Sequence, residues 1–265
     1  MAVRPEGTPC WADAMFGDLE GAKRFYGEVL GWTFGGSSPE FGDYTTAYLD
    51  GRAVAAVVPP MPGQEEAAQW GLYFATPDAE ATAARVREAG GEVVLAPMRV
   101  GDFGTMCLAR DPGGVLFGLW QGDTHEGFEV TGEPGAYCWA EIFTRDPAAS
   151  DAFFPAVFGY RGEQMRDDAV DFRVFGLGGQ PVIGRMAMTD DFPPEVGPYI
   201  NVYFTVADCD EAVSRATGLG GVLRFGPVDT PFGRFAALGD PQGASFSVID
   251  VTTTRGEPPV FADVS

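Results

Sequence analysis

The chain has 265 residues, of which 45% are hydrophobic and 21% are charged, and its formal net charge at pH 7 is −21. This length allows one large domain or two ordinary domains, each with a buried core. The acidic charge argues against nucleic-acid and anionic membrane partners, because both require clustered Lys and Arg. No apolar run could span a bilayer and Met1–Pro9 contains no signal-peptide core, so we expect a cytoplasmic protein.

The first quarter of the chain predicts one strand, one helix and two further strands. The first strand covers Cys10–Phe16, and the helix begins near Asp18, a residue type that caps helix N-termini. Apolar residues then follow at helical spacing, and Gly31 is a plausible helix end. Strand-like segments follow at Tyr44–Leu49 and Ala53–Val58, separated by a short turn.

The second quarter predicts a similar module. A strand at Trp70–Thr76 precedes an Ala-rich helix at Asp78–Ala89, which a pair of glycines ends. Strands at Gly104–Ala109 and Val115–Trp120 follow, joined by Asp111-Pro112-Gly113-Gly114, a strong turn signal. Strands and helices that segregate in this way indicate an α+β fold with an antiparallel sheet.

The second half of the chain repeats the first half. Cys10-Trp11-Ala12-Asp13 recurs as Cys138-Trp139-Ala140-Glu141 after 128 residues, and further matches follow at offsets of 128 to 130. A repeat at constant offset indicates duplication. We therefore predict one domain at 1–122, a linker at 123–134 and a second domain at 135–265.

The four cysteines of the chain form no C-x-x-C pair. They lie far apart, at Cys10, Cys107, Cys138 and Cys209. This spacing argues against a structural zinc site and against a disulfide framework in a reducing compartment. We expect buried free thiols.

Four segments carry a resemblance to a known family. Asp18–Tyr26 followed by Gly31-Trp32 resembles the opening module of the glyoxalase/bleomycin-resistance/extradiol-dioxygenase (vicinal oxygen chelate) superfamily. Ala89-Gly90-Gly91 and Asp111–Gly114 resemble its closing module. More narrowly, the chain resembles two-domain actinobacterial glyoxalase-like proteins and the hydroxylase proteins of polyketide pathways. The resemblance implies an α+β fold with two tandem domains, each built from two βαβββ modules that form a curled antiparallel sheet cup.

The same resemblance implies where metal ligands would project into each cup. These positions hold residues that lack imidazole and carboxylate groups: Trp11, Ala56, Gly71 and Gly118 in the first half, and Trp139, Gly184, Asn201 and Ser247 in the second. A catalytic divalent metal needs three or four convergent ligands of those types. The single histidine, His125, lies in the predicted linker, where we expect a surface residue. We therefore predict no metal and no cofactor.

Other side chains are predicted to line the cups. Because side chains alternate faces along a strand, the inner faces would carry the candidate ligand-binding residues Trp11, Met15, Tyr73, Trp139, Phe143, Asn201 and Tyr203. The same faces carry two carboxylates, Asp13 and Glu141, which are candidate catalytic residues. Aromatic walls suit a flat ligand, and small residues beside them leave room for it.

These residues have alternative interpretations. The two tryptophans could fill a vestigial cavity as core residues. Asp13 and Glu141 could be general bases, acceptors that anchor a ligand, or structural partners of an arginine such as Arg185 or Arg234. The Pro-rich breaks, Met61-Pro62-Gly63 and the segment at 192–194, could be lids or ordinary crossovers.

Three functions remain open at this point. The first, which we favour, is a metal-independent protein that binds a hydrophobic aromatic small molecule such as a polyketide or an antibiotic. The second is a metal-free enzyme of secondary metabolism in which Asp13 or Glu141 is the general base. The third is a regulatory scaffold with vestigial cavities. We expect a monomer or a homodimer.

Overall fold

A computed structural model describes residues 4–60, 68–167 and 169–264. The suggested lid Met61-Pro62-Gly63 lies outside these residues. Four α-helices are present in the described part of the chain: α1 Leu19–Leu30, α2 Ala79–Glu88, α3 Pro147–Phe158 and α4 Cys209–Gly218. A short 3-10 helix covers Pro39–Phe41.

Seventeen strands are described, in two sheets. The first sheet contains β1 Pro9–Met15, β2 Thr33–Phe34, β3 Thr45–Leu49, β4 Arg52–Val58, β5 Trp70–Ala75, β6 Glu92–Val100, β7 Gly104–Arg110 and β8 Leu116–Gly122. The second contains β9 Tyr137–Thr144, β10 Arg161–Met165, β11 Phe172–Leu177, β12 Gln180–Ala187, β13 Tyr199–Thr205, β14 Val222–Thr230, β15 Gly233–Gly239, β16 Ser245–Asp250 and β17 Phe261–Asp263.

Each sheet joins two βαβββ modules through their first strands. The orders are β2-β3-β4-β1-β5-β8-β7-β6 and β14-β15-β16-β13-β9-β12-β11-β10-β17. The α+β class is confirmed, but the sheets are mixed, because the first and last strands of each module pair in parallel. The helix returns the chain to its starting end and two hairpins follow, so the fourth strand runs in the direction of the first.

The first helix shows how local sequence sets the elements. The side chain of Asp18 accepts a hydrogen bond from the Gly21 amide, which satisfies one of the free N–H groups at the start of α1. Gly31 ends the helix in the left-handed conformation at φ 76°. Both predicted boundaries are confirmed.

The helices lie between the two sheets, which share one core. Phe25 of α1 contacts Phe246 of the second sheet with ring centroids 6.0 Å apart. Phe153 of α3 contacts Phe117 of the first sheet at 5.9 Å. Because the helices bury their apolar faces against both sheets, the outer faces of the sheets are left to form the cups.

Two equivalent hydrogen bonds join the halves. Trp32 Nε1 donates to the Gly135 carbonyl at 2.6 Å, and the Tyr160 hydroxyl donates to the Gly7 carbonyl. Gly7 and Gly135 have φ of 79° and 91°, a region that favours glycine. A Cβ at Gly135 would lie 2.5 Å from the carbonyl oxygen of Leu30, so a side chain there would disrupt the junction.

The four thiols are free, and three of them are buried. Cys138 is partly exposed instead and borders the cavity described below. None of the described helices is both long enough and apolar enough to cross a membrane.

Candidate functional site

A cavity of about 2170 Å³ opens on the outer face of the second sheet. Its walls are mostly apolar and include the aromatic side chains Trp139, Phe143, Tyr199, Tyr203, Phe225 and Phe235. Drug-sized ligands occupy roughly 300–1,000 Å³ in typical sites. The cavity is therefore large enough for a ligand of several rings.

Glu141 is the central carboxylate of this cavity. Its Oε2 accepts a hydrogen bond from the Tyr203 hydroxyl at 2.7 Å, and its Oε1 accepts one from Trp139 Nε1 at 3.3 Å. Burial raises the pKa of Glu141, and the two hydrogen bonds partly oppose that rise because they stabilise the ionised form. The carboxyl group is thus poised for hydrogen bonding or proton transfer.

Strand register brings two neutral polar groups beside this carboxylate. Asn201 lies opposite Glu141 in the β9–β13 pair, and Ser247 lies beside Tyr203 in the β13–β16 pair. Asn201 Nδ2 donates to Ser247 Oγ at 2.8 Å, and both side chains are almost fully buried. The polar groups satisfy one another within an otherwise apolar wall.

An aromatic shelf forms one end of the cavity. The rings of Phe143 and Tyr199 stack at 4.9 Å with an angle of 8°, and Phe192 packs on Phe143 at 5.7 Å. Arg145 holds the loop in place by donating to the carbonyls of Phe192 and Pro193, the latter at 2.7 Å. The Pro-rich break at 192–194 therefore forms part of the cavity wall.

The equivalent residues of the first half form a separate network. Trp11 Nε1 donates to the Tyr44 hydroxyl at 2.6 Å, and that hydroxyl donates to Asp13 Oδ2 at 3.2 Å. Tyr73 also hydrogen-bonds Asp13, and burial, which these bonds oppose, raises the pKa of Asp13 to about 6. Met15 lies two residues further along the strand and is partly exposed.

The segment between the halves covers Trp11. The ring of His125 meets Trp11 edge-on with centroids 4.5 Å apart, and Phe128 packs on the same indole at 5.6 Å. Trp120 Nε1 fixes the segment by donating to the His125 carbonyl at 2.7 Å. The prediction that His125 is a surface residue is wrong, because the segment folds back over the first sheet. Trp11 is only 4% exposed as a result.

The two cup carboxylates have tyrosine partners, so the suggested pairing with Arg185 or Arg234 is wrong. Arg185 is buried and forms ion pairs with Asp151 and Asp171. Arg234 forms one with Asp210 at 2.9 Å. Both arginines belong to other networks, a result of side-chain direction that sequence spacing did not reveal.

The residues at the metal positions implied by the superfamily do not fit a divalent cation. In the second half these positions carry an indole, a glycine, a neutral amide and a hydroxyl, and in the first half an indole and three residues without donor side chains. Within 4–60, 68–167 and 169–264, no three His, Cys, Asp or Glu side chains converge to hold a metal ion. Divalent metal sites in proteins are built from several such ligands.

Some cavity residues were missed at the sequence level. Tyr44, which joins Trp11 to Asp13, was predicted only as the start of a strand. Phe225 and Phe235 line the second cavity and were not singled out. The offset of 128 residues, which places Phe172 at the position of Tyr44, was the available signal.

The fold and the concave site define a tandem βαβββ protein, and comparison with known proteins supplies the family. Residues 11–119 match the model of the "Glyoxalase/Bleomycin resistance protein/Dioxygenase superfamily". A Streptomyces peucetius protein named "Anthracycline biosynthesis protein DnrV" is 39% identical over 259 residues, which cover 92% of this chain and 94% of that protein. CFP32 of Mycobacterium bovis is 37% identical over 250 residues, 92% and 95% of the two chains. The chain belongs to the glyoxalase/bleomycin resistance/dioxygenase superfamily.

Solved structures agree on the fold. The 2,3-dioxygenase LapB from Pseudomonas sp. KL28 superposes with a TM-score of 0.66 at 15% identity, covering 98% of this chain and 95% of that chain. The Mn(II)-bound glyoxalase from Novosphingobium aromaticivorans gives 0.65 at 16% identity, with coverage of 96% and 87%. At such low identity these matches establish architecture alone.

Proposed function

We propose that this chain binds a flat, fused-ring aromatic molecule in the cavity of the second sheet, without a metal ion, as part of secondary metabolism. The observation that carries the proposal is the placement of Trp139, Tyr203 and Glu141 on one wall of a large apolar cavity. A flat ligand gains from aromatic walls, and one central carboxylate fixes its orientation through a ligand hydroxyl.

The relatives support the biological setting. A protein 39% identical over nearly the whole chain is named for anthracycline biosynthesis, and anthracyclines are fused-ring aromatic compounds. The residues at the implied metal positions, such as Asn201 and Ser247, bond to each other, which favours a metal-independent role.

The second cavity is a better binding site than the first cup. Trp11 is covered by His125 and Phe128, and its N–H is already bonded to a tyrosine. Trp139, in contrast, is partly exposed and borders the cavity. Partial exposure of a large aromatic ring in an apolar cavity is typical of a surface that a ligand covers.

A second candidate function is metal-free acid–base catalysis on the same ligand. It is favoured by the burial of Glu141, which raises its pKa toward the range useful for a general base. The Tyr203 hydroxyl could return or accept the proton. The regulatory-scaffold hypothesis gains no support from a cavity of this kind.

Native mass spectrometry of metal-stripped protein with a panel of fused-ring phenols and quinones separates these functions. Binding predicts a complex from which the ligand is released at unchanged mass, and Trp139→Ala should weaken it at least tenfold while Trp11→Ala should not. A released ligand of altered mass that depends on Glu141 would favour catalysis. Absence of any complex across the panel would contradict both.

A further inference from the structure

The first half contains a tyrosine that the second half lacks. The hydroxyl of Tyr44 lies between Trp11 Nε1 and Asp13, accepting from the indole and donating to the carboxylate. At an offset of 128 residues the second half has Phe172. The strand registers agree, since β3 and β11 occupy the same place in their sheets.

Phe172 lies where a hydroxyl on its ring would reach the second carboxylate. A Cβ built on Gly184 would be 2.8 Å from Cζ of Phe172 and 2.9 Å from Cγ of Glu141. The ring tip and the carboxylate side chain therefore flank the same glycine. Without a phenolic oxygen between them, Trp139 Nε1 bonds Glu141 directly, at a longer 3.3 Å.

A second difference occurs three residues earlier in the chain. In the first half, Phe41 covers Phe103 edge-on with ring centroids 5.4 Å apart. The offset of 128 places Ala169 at the position of Phe41, and an offset of 129 places Phe232 at that of Phe103. Phe232 lines the cavity and is 57% exposed, against 40% for Phe103.

The two differences point to the same conclusion. In the first half the chain supplies a phenol to the indole–carboxylate pair and an aryl ring to the rim phenylalanine. In the second half both groups are replaced by residues that cannot do so, Phe172 and Ala169. Edge-to-face aromatic contacts contribute roughly 0.5–1.5 kcal/mol beyond burial. A charge-assisted hydrogen bond contributes about 1.5–3 kcal/mol.

We infer that the ligand of the second cavity is a phenol with an extended aryl system. Its hydroxyl takes the place that Tyr44 fills in the first half, accepting from Trp139 Nε1 and donating to Glu141. A further ring of the same ligand covers Phe232 as Phe41 covers Phe103. This inference rests on the proposed function and specifies its ligand.

The carboxylate has the capacity for this additional bond. An ionised carboxyl group offers about four acceptor positions, and Glu141 uses two of them for Trp139 and Tyr203. The side chain is one methylene longer than that of Asp13. A ligand hydroxyl can therefore join the network without displacing Tyr203.

Isothermal titration calorimetry with alizarin, its dimethyl ether and unsubstituted anthraquinone tests the inference. We expect the wild type to bind alizarin at least tenfold more tightly than either compound without the hydroxyl donors. Phe172→Tyr should weaken alizarin binding at least tenfold, because the new hydroxyl competes for Trp139 and Glu141. Phe261→Tyr adds the same group elsewhere on the cavity wall and should change the affinity less than about twofold.

A second variant tests the rim independently of the hydroxyl. Ala169→Phe restores the ring that covers Phe103 in the first half and should weaken alizarin binding at least fivefold. Circular dichroism confirms that each variant is folded. Equal binding of alizarin and its dimethyl ether by the wild type, or unchanged affinity in folded Phe172→Tyr, would overturn this inference and leave the proposed function standing. Failure of the wild type to bind any of the three compounds or any fused-ring compound would overturn both.

Discussion

The hydroxyl of Tyr203 donates a 2.7 Å hydrogen bond to Glu141 Oε2 across the β9–β13 strand pair. Burial raises the pKa of this carboxyl group, while the tyrosine stabilises its ionised form. The pair sets the protonation state of the group that a ligand would meet first. Its counterpart in the first half, Asp13 with Tyr73 and Tyr44, serves a network that the chain itself completes.

Removal of the Tyr203 hydroxyl should change the titration of Glu141. In Tyr203→Phe the carboxylate loses its shortest hydrogen bond, so its pKa should rise further above the usual range. NMR titration of selectively labelled glutamates measures this shift. Glu141→Gln identifies the resonance, and an unchanged or lowered pKa in Tyr203→Phe would contradict the assigned hydrogen bond.

Asp13 should make stability decrease with rising pH. Its pKa is raised to about 6 in the folded protein and lies near 3.9 in the unfolded chain, so the folded state holds the extra proton between these values. The free energy of unfolding should therefore fall as pH rises from about 4 to 6. Because Asp13 is partly exposed, we expect an effect of about 1–2 kcal/mol.

Urea denaturation of wild type and Asp13→Asn across this range measures the effect. The difference in unfolding free energy between the two proteins should change by that amount between pH 4 and pH 7, in favour of the Asn variant at the higher pH. A pH-independent difference would show that Asp13 titrates normally.

The junction between the halves should be sensitive to one hydroxyl. Buried Tyr26 accepts from Trp70 Nε1 and donates to Asp240 of the second half, both at 2.9 Å. Tyr26→Phe leaves both groups without this partner and should destabilise the protein by about 2–4 kcal/mol. Chemical denaturation should show one transition for the whole chain, because the core is shared.

A matched variant is available for that measurement. Tyr48 is partly exposed on β3, and Tyr48→Phe should change stability by no more than about 0.5 kcal/mol. Two separate transitions, or equal effects of the two substitutions, would contradict a shared core dependent on Tyr26.

Much of the fold could be predicted from local signals. The repeat, the Asp18 cap and the Gly31 helix end all depend on neighbouring residues, and the structure confirms the elements they delimit. β6 (Glu92–Val100) was missed, because an edge strand that is largely exposed and contains a proline has no clear alternation of apolar residues.

The candidate site could be predicted only in part. Alternation along the first strands identified Trp139 and Glu141, which the structure places on one cavity wall. The difference between the two cups depends on the path of the linker over Trp11 and on a single hydroxyl, that of Tyr44. Both are tertiary relationships, and no local pattern encodes them.

Divalent metals should leave this protein unchanged. A ligand that binds only the folded state raises the unfolding temperature, so a functional site for Mn²⁺, Fe²⁺ or Zn²⁺ would be detected by thermal unfolding. We expect shifts below about 1 °C when each metal is added to chelator-treated protein. A specific, saturable stabilisation by one metal would contradict metal independence.

The central claim is that the second cavity, and not the first cup, binds a fused-ring aromatic ligand. Isothermal titration calorimetry with the tightest ligand of the mass-spectrometry panel tests it most directly. The claim predicts one molecule bound per chain, an affinity at least tenfold weaker in Trp139→Ala, and an unchanged affinity in folded Trp11→Ala. Two molecules per chain, or loss of binding in Trp11→Ala with full binding in Trp139→Ala, would contradict it.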